Sequence, residues 1–481
     1  MKKTSTFSPT RVSMAVAVVC VGISMPAFAQ METKLTGRVH FDARSISNDL
    51  SQISDRDSAS VGDNFELRRA RIGFTGSYNK QIQFEGVANA VGSTTNIIDT
   101  AFINYGYNKE GQVRVGRFKQ PFSLEENTSS NNIDFMERSY VNQITPGKQL
   151  GMMVHGANQS GFTYAASIYQ QGFNELSNQT PLGSQAALRL TSNLAKLAKI
   201  GSEGTVVHVG FGGVKGKYEQ TSSTSGNTAK AEDTSTRSTI VSFRDENRGL
   251  SNAYRLQIAG DILNTGDYNA LGDNVVNVSQ TMKGLELAVA QGPFKFQGEL
   301  AHANFDARTD RCTWSAAGAC TSGGTATINA IAKTSYLAVL WNITGEDFGK
   351  SYSNGAFGGI KPSSEFMKDY GGVVGNGTGA WQLGYRISNY DVSTLQVAGT
   401  SGISRAITDG STAAVASRYQ NSPTATTQTL ALNWILNSNS RVMFNYATTK
   451  FGSSVEYLDT DTNSSTTKRE DIISVRTQFN F

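Results

Sequence analysis

Segments of strictly alternating side chains recur along this chain, and they limit its fold more than any other feature. The last nine residues, ISVRTQFNF, put Ile473, Val475, Phe479 and Phe481 on one parity, with Thr477 among them, against Ser474, Arg476, Gln478 and Asn480. LTGRVHFDAR sets Leu35, Val39, Phe41 and Ala43 against Thr36, Arg38, His40, Asp42 and Arg44. ARIGFTGSY, YRLQIAGDI and FKFQGEL obey the same rule, as do SYLAVLWNI, WQLGYRIS, LALNWIL and RVMFNYA. Period-two alternation marks strands with one apolar and one polar face.

About 16 to 18 such segments are present, many roughly 9–13 residues long, the length a tilted strand needs to cross a bilayer. Backbone groups facing lipid must be paired, so spanning strands have to close on themselves. The sequence therefore predicts an all-β fold, a transmembrane antiparallel β-barrel of about 16 strands, with 18 as the alternative count. Polar side chains would line a water-filled lumen, with Arg38, Arg44, Arg255, Arg386, Arg441 and Arg476 among them. The simplest reading of these arginines is as ion-paired wall residues. Trp341, Trp381, Tyr385, Trp434, Phe444 and Tyr446 fall on the outward parity, as an interfacial aromatic girdle would.

Residues 1–29 read as a signal peptide, with Lys2, Lys3 and Arg11 ahead of or within an apolar run and Ala27-Phe28-Ala29 at its end. The run is too short to span a bilayer, and Val19 before Cys20 does not suit a lipoprotein signal. Of 43 Lys+Arg and 39 Asp+Glu, this leader holds three basic and no acidic residues, leaving 40 against 39. A near-neutral chain gives no reason to expect nucleic acid as a partner, so any anion preference must come from local placement. The remaining residues, 30–481, read as one barrel domain. Cys312 and Cys320, in DRCTWSAAGACTSG, are expected to form a disulfide in an oxidising compartment.

Candidate external loops are 48–63, 219–238, 304–332, 348–378 and 396–425, all rich in Ser, Thr, Gly and Asn. The segment 120–147, QPFSLEENTSSNNIDFMERSYVNQITPG, is different, because it carries Leu124, Ile133, Phe135, Met136, Tyr140 and Val141. It is apolar enough to pack against a wall, which favours an inward-folded constriction loop, with an external flap as the alternative.

FELRRARIGF, DTAFINYGY and VGRFKQPFSLEENTSSNNIDFMERS resemble the phosphate-selective porin O and P family. LAVLWNITGEDFGKSYSNGAFGGIKP, GAWQLGYRISNYD and LALNWILNSNSRVMFNYA continue the resemblance in the same order, over nearly the whole chain after the leader. The resemblance implies a homotrimeric 16-stranded channel in the Gram-negative outer membrane, in contact with its lipid and passing small anions such as phosphate. A terminal Phe481 on an alternating strand is similar to the signal read by the outer-membrane barrel assembly machinery.

By the same resemblance, Arg68 and Arg69, Asp99, Ser129 and Ser130, and Arg138 would surround the narrow, anion-binding site. Guanidinium forks and hydroxyls suit a tetrahedral oxyanion, and an Asp can accept from a protonated phosphate. Two departures weaken phosphate specificity. Glu126 stands where phosphate-selective members carry Lys, and Arg71 and Gly73 stand where they carry aromatic residues. Glu125 and Glu126 could pair with Arg69, Arg71 or Arg114 across the opening, giving the mixed-charge balance of general porins.

The competing readings are a general small-solute porin, an adhesin or receptor barrel, and an enzyme. The four histidines, His40, His155, His208 and His302, lack a Ser/Asp context for catalysis, so no catalytic residue is assigned. No metal-ligand spacing and no cofactor motif is present, and neither is expected.

Overall fold

The computed structural model describes residues 31–46, 53–55, 58–61, 64–91, 97–106, 108–171, 183–222, 237–249, 253–259, 274–314, 320–369, 374–399, 422–458 and 464–481. The leader lies outside these. The backbone at Arg255, Cys312 and Cys320 is described, but their side chains are not, so the wall role of Arg255 and the disulfide lie outside the described residues.

Sixteen antiparallel strands form a closed barrel. In chain order they are β1 (Met31–Ile46), β2 (Asn64–Tyr78), β3 (Ile82–Asn89), β4 (Ile98–Gly106), β5 (Gln112–Lys119) and β6 (Lys148–Ala157). Next come β7 (Phe162–Gln170), β8 (Gly183–Asn193), β9 (Val206–Ser222), β10 (Asn274–Gln291) and β11 (Phe294–Trp314). The last are β12 (Cys320–Asn342), β13 (Ala380–Gly399), β14 (Thr424–Ile435), β15 (Ser440–Leu458) and β16 (Ser464–Asn480). Each pairs with its sequence neighbour, and β1 closes on β16 from Arg38↔Asn480 to Ile46↔Ile472. The main chain of Phe481 extends the seam, with Gly37 N donating to its carbonyl at 2.9 Å.

Alternation places Ile473 and Phe479 outside and Ser474, Arg476 and Gln478 inside. Leu285, Leu287, Leu300 and Leu337 are each more than half exposed, as lipid-facing residues of an isolated barrel must be. Aromatic rings gather at one rim, where Trp381 stacks on Trp434 at 5.4 Å and Phe294 on Trp341 at 6.3 Å. That rim also holds the short connections 292–293 and 436–439.

Three expectations need correction. YRLQIAGDI does not supply a barrel strand: β9 pairs directly with β10, and Tyr254–Ala259 forms a separate hairpin with Arg237–Phe243. Alternation cannot distinguish a barrel strand from a hairpin buried inside the barrel, and Tyr254 and Leu256 are buried. Most of 304–332 is strand rather than loop, because β11 and β12 pair as far as Trp314↔Cys320. Finally, 348–378 is not at the loop end. It connects β12 to β13 at the short-turn rim, where Phe348 N donates to Gly292 O and Phe366 N to Leu436 O.

The interior is asymmetric. On β10–β12 the inward face carries Ala288, Ala290, Ala301, Ala303, Ala307, Ala330, Ala332 and Ala338, all buried. Small side chains there make room for inserted segments, and Phe122, Leu124, Tyr140, Phe243 and Tyr390 pack into that half as one apolar cluster. Open space remains along β1–β8.

Candidate functional site

The segment 120–147 lies inside the barrel and is held from both ends. Phe122 fits a notch formed by Gly212 and Gly284, where a Cβ on either would sit 2.8 Å from the ring. A one-turn helix follows at Leu124–Asn127, capped by Ser123, whose hydroxyl accepts from Glu126 N at 3.2 Å. The amides of Leu124 and Glu125 donate to the Glu299 carboxylate at 2.9 and 2.7 Å. Further along, Tyr140 N donates to Ser388 Oγ at 3.1 Å, and its hydroxyl meets that of Thr427 at 2.8 Å.

Between these anchors the wall grips the main chain of the segment. Gln478 donates to Asn131 O at 3.0 Å, Arg441 to Ile133 O at 2.8 Å and Asn433 to Asp134 O at 2.7 Å. Arg476 donates to Met136 O, and Arg386 to Glu137 O at 3.0 Å. Two of these arginines also carry buried ion pairs. Arg386 bridges Glu125 at 3.0 Å and Glu246, and Arg476 bridges Asp42 at 2.6 Å and Glu137 at 2.9 Å. Burial pushes Glu246 up to about 7 despite Arg386. Burial also raises Glu137, but Arg68 and Arg476 outweigh it and hold that carboxylate well below its usual range.

From the short-turn rim, part of the β12–β13 connection also enters the lumen. Tyr352 reaches His208 Nδ1 at 2.7 Å, Gly355 O accepts from Arg189 at 2.7 Å, and Phe357 lies 4.5 Å from Lys295 Nζ. Lys295 in turn pairs with Asp134 at 2.7 Å, so both inserted segments touch the same lysine.

A cavity of about 920 Å³ stays open against β1–β8. Its lining holds ten basic side chains, Arg38, Arg69, Arg71, Lys109, Arg114, Arg117, Lys119, Arg138, Lys148 and Arg189, against three carboxylates, Glu85, Asp99 and Glu126. Among the described residues, Arg38, Arg69 and Arg114 have no carboxylate within 4 Å, and the Nε of each is buried without a partner. Arg38 donates to Ser130 Oγ at 2.7 Å, Arg69 lies 3.3 Å from His40 Nδ1, and Arg114 stacks over Phe102 at 4.3 Å.

The residues singled out by the resemblance separate into two groups. Arg69, Arg71, Asp99, Glu126, Ser129, Ser130 and Arg138 line the cavity, whereas Arg68 pairs with Glu137 at 3.1 Å beside it. Parity favours Arg69 over Arg68 unless a bulge near Leu67 intervenes, and both turn inward. The register against β1 shifts between His40↔Arg69 and Phe41↔Leu67, leaving Arg68 as the extra residue of a bulge that switches parity. Asp99 accepts from Arg71 at 2.8 Å and from Lys148, so its charge is shared between two cations. Ser129 Oγ accepts from Asn131 N at 3.4 Å, as a turn residue does.

The pairing of Glu125 and Glu126 with Arg69, Arg71 or Arg114 does not occur. Glu125 faces away, toward Arg386 and the Ser139 hydroxyl at 2.6 Å. Glu126 lies 3.8 Å from Lys119 and 3.6 Å from Arg138, and accepts from Asn142 at 2.6 Å. Burial raises Glu126, but Lys119 and then Arg138 keep it below the usual carboxylate range. Of the six wall arginines, Arg38 faces open space, while Arg44, Arg386, Arg441 and Arg476 are buried structural ties. Arg117 and Lys119 sit on the apolar parity of QVRVGRFK, so alternation hides them. Gly116 between Val115 and Arg117, at φ 129°, is the local signal that the pattern breaks.

A closed sixteen-stranded cylinder, oily outside and with a charged aqueous cavity, is the architecture of an outer-membrane porin. The chain belongs to the phosphate-selective porin O and P family, whose model matches residues 33–481. It is a channel of the Gram-negative outer membrane. Its fold is similar to OmpT of Vibrio cholerae at 10% identity, covering 94% of this chain and 98% of that one with a TM-score of 0.45. It is also similar to the outer membrane channel DcaP of Acinetobacter baumannii, at 10% identity, 95% and 99% coverage and a TM-score of 0.44. OprB of Pseudomonas putida gives 9% identity, 93% and 94% coverage and a TM-score of 0.42. No curated protein gave a match.

Proposed function

We propose that this porin passes small anions, phosphate among them, by passive diffusion with only weak preference for phosphate, the segment 120–147 setting the narrowest point. The observation that carries this is the charge of the open cavity, ten basic groups against three carboxylates. In a narrow passage with low-dielectric walls such an excess concentrates anions and repels cations. Several partly engaged donors, rather than one saturated cage, let an ion bind and leave.

Weak phosphate preference rests on Glu126. Its carboxylate lies 3.8 Å from Lys119 and 3.6 Å from Arg138 and offsets the charge with which they would attract an oxyanion. Reversal potential in a salt gradient tests the first part, and block of chloride current by inorganic phosphate tests the second. Anion selectivity with millimolar rather than micromolar block is expected. Cation selectivity would overturn the anion reading, and micromolar block would overturn the weak preference.

A homotrimer inserted by the barrel assembly machinery through Phe481 fits the family. We read the protein as a channel without catalysis. His40 faces Arg69, His155 faces Asn104 at 2.7 Å and His208 faces Glu286 at 3.0 Å, and among the described residues none of these three has a serine nucleophile within hydrogen-bond reach.

A further inference from the structure

The outer wall carries a row of charge that conduction does not use. Lys283 on β10 pairs across to His302 on β11, and His302 pairs to Lys333 on β12. All three side chains are exposed on the lipid-facing parity. Below them a groove of about 530 Å³ opens between Phe211, Leu285 and Leu300. One carboxylate, Asp391, lies directly opposite Lys333 on the rim of the same groove and offsets part of its charge, and a second, Asp306, lies just above. Asp391, opposite Lys333, accepts from Ser393 at 2.6 and 2.9 Å, and Asp306 accepts from Asn329 and Asn304.

Height identifies what this row meets. From Phe294 at the aromatic rim to His302, a strand of ordinary rise and tilt climbs roughly 20 Å, close to the far edge of an apolar band about 25 Å tall. The next outward residues, Asn304 and Asp306, are polar. Basic side chains on a lipid face are tolerated near an interface and not in the acyl layer. The short-turn rim faces the periplasm, so this edge belongs to the outer leaflet.

We propose that Lys283, His302 and Lys333 bind the phosphate of a phosphorylated glycolipid of the outer leaflet, with an acyl chain lying along Phe211, Leu285 and Leu300. Two lysines and an imidazole at neighbouring register positions can converge on one headgroup phosphate, and the groove beneath supplies an apolar bed directly below it. This rests on the membrane orientation of the barrel and is independent of which solute the channel passes.

The test titrates purified protein in detergent with diphosphoryl lipid A and counts bound lipid by native mass spectrometry, beside the Lys283→Gln/Lys333→Gln variant. Each cation at an anionic headgroup contributes about fivefold, so the double variant should bind about twenty-five-fold more weakly. Fully dephosphorylated lipid should bind both proteins equally weakly, and inorganic phosphate should not compete. Unchanged conductance and unchanged oligomeric state would show that the variant folds. Equal lipid binding by variant and parent would overturn the proposal. So would parent protein that binds the dephosphorylated lipid as tightly as the phosphorylated one, or a change of oligomeric state showing that the row is a contact between subunits. Single Lys283→Gln, expected at about fivefold, keeps the question open to measurement if the double variant fails to fold.

Discussion

Glu126→Gln is the sharpest probe of the conduction reading. Glutamine keeps an oxygen for the Asn142 amide, now 2.6 Å from the carboxylate, and leaves the helix turn at Leu124–Asn127 capped by Ser123. What it removes is one negative charge beside Lys119 at 3.8 Å and Arg138 at 3.6 Å, while both cations keep their main-chain acceptors, Lys119 on Thr128 O at 2.9 Å and Arg138 on Glu125 O at 3.0 Å and Thr128 O at 2.9 Å. For an ion passing at roughly 8 Å under an effective dielectric of about 40, one charge is worth about 1 kcal/mol. An anion then gains about fivefold and a cation loses about fivefold, before salt screening reduces both. Bilayer reversal potentials should therefore move further toward the anion equilibrium potential, most clearly at low salt, and phosphate should block chloride current at lower concentration than in the parent. An unchanged reversal potential at low salt would show that this carboxylate is not felt by permeating ions. A shift toward cations would refute the electrostatic argument outright.

Arg386→Met leaves Glu125 and Glu246 without their buried partner and should cost about 3 kcal/mol, seen as a lower unfolding temperature in detergent and noisier single-channel current. Glu246 is raised to about 7 by burial, so its stabilising contribution is complete at acidic pH and lost as pH rises through that value. Stability should fall between about pH 5 and pH 8, and Glu246→Gln should flatten that slope in a denaturation series. Gly284→Ala drives a methyl into the Phe122 ring at 2.8 Å and should loosen the inserted segment, raising susceptibility to proteolysis within it. Phe481→Ala should lower the folded fraction in outer membranes, measured by heat-modifiable gel mobility, while protein already folded conducts normally.

The barrel was legible because its signal is local. Each spanning strand repeats a period-two pattern that needs no partner to be recognised, as in Ile473–Asn480. The interior was less legible, because what fills a lumen depends on residues far apart in sequence. Tyr254 and Leu256 alternate like wall residues yet pack inside, and the alanines of β10–β12 acquire meaning only beside Phe122 and Tyr140. Arg68 shows the same limit, since a single extra residue at the bulge reverses which parity faces water. Glu126 stands out in the sequence by its departure from the family pattern and lines the cavity, but its partners Lys119 and Arg138 are not visible there. Lys119 lies on the wrong parity, and Arg138 reaches it only through the fold of the segment.

The wall holds the stretch from Asn131 to Glu137 in part by its carbonyl oxygens, at Asn131, Ile133, Asp134, Met136 and Glu137. Every amino acid presents the same oxygen, so a grip of this kind is blind to what each residue carries beyond its backbone. Descendants of this gene are therefore at liberty to exchange residues such as Ser129 and Asn131 and try new permeants, while the scaffold that positions them stays put.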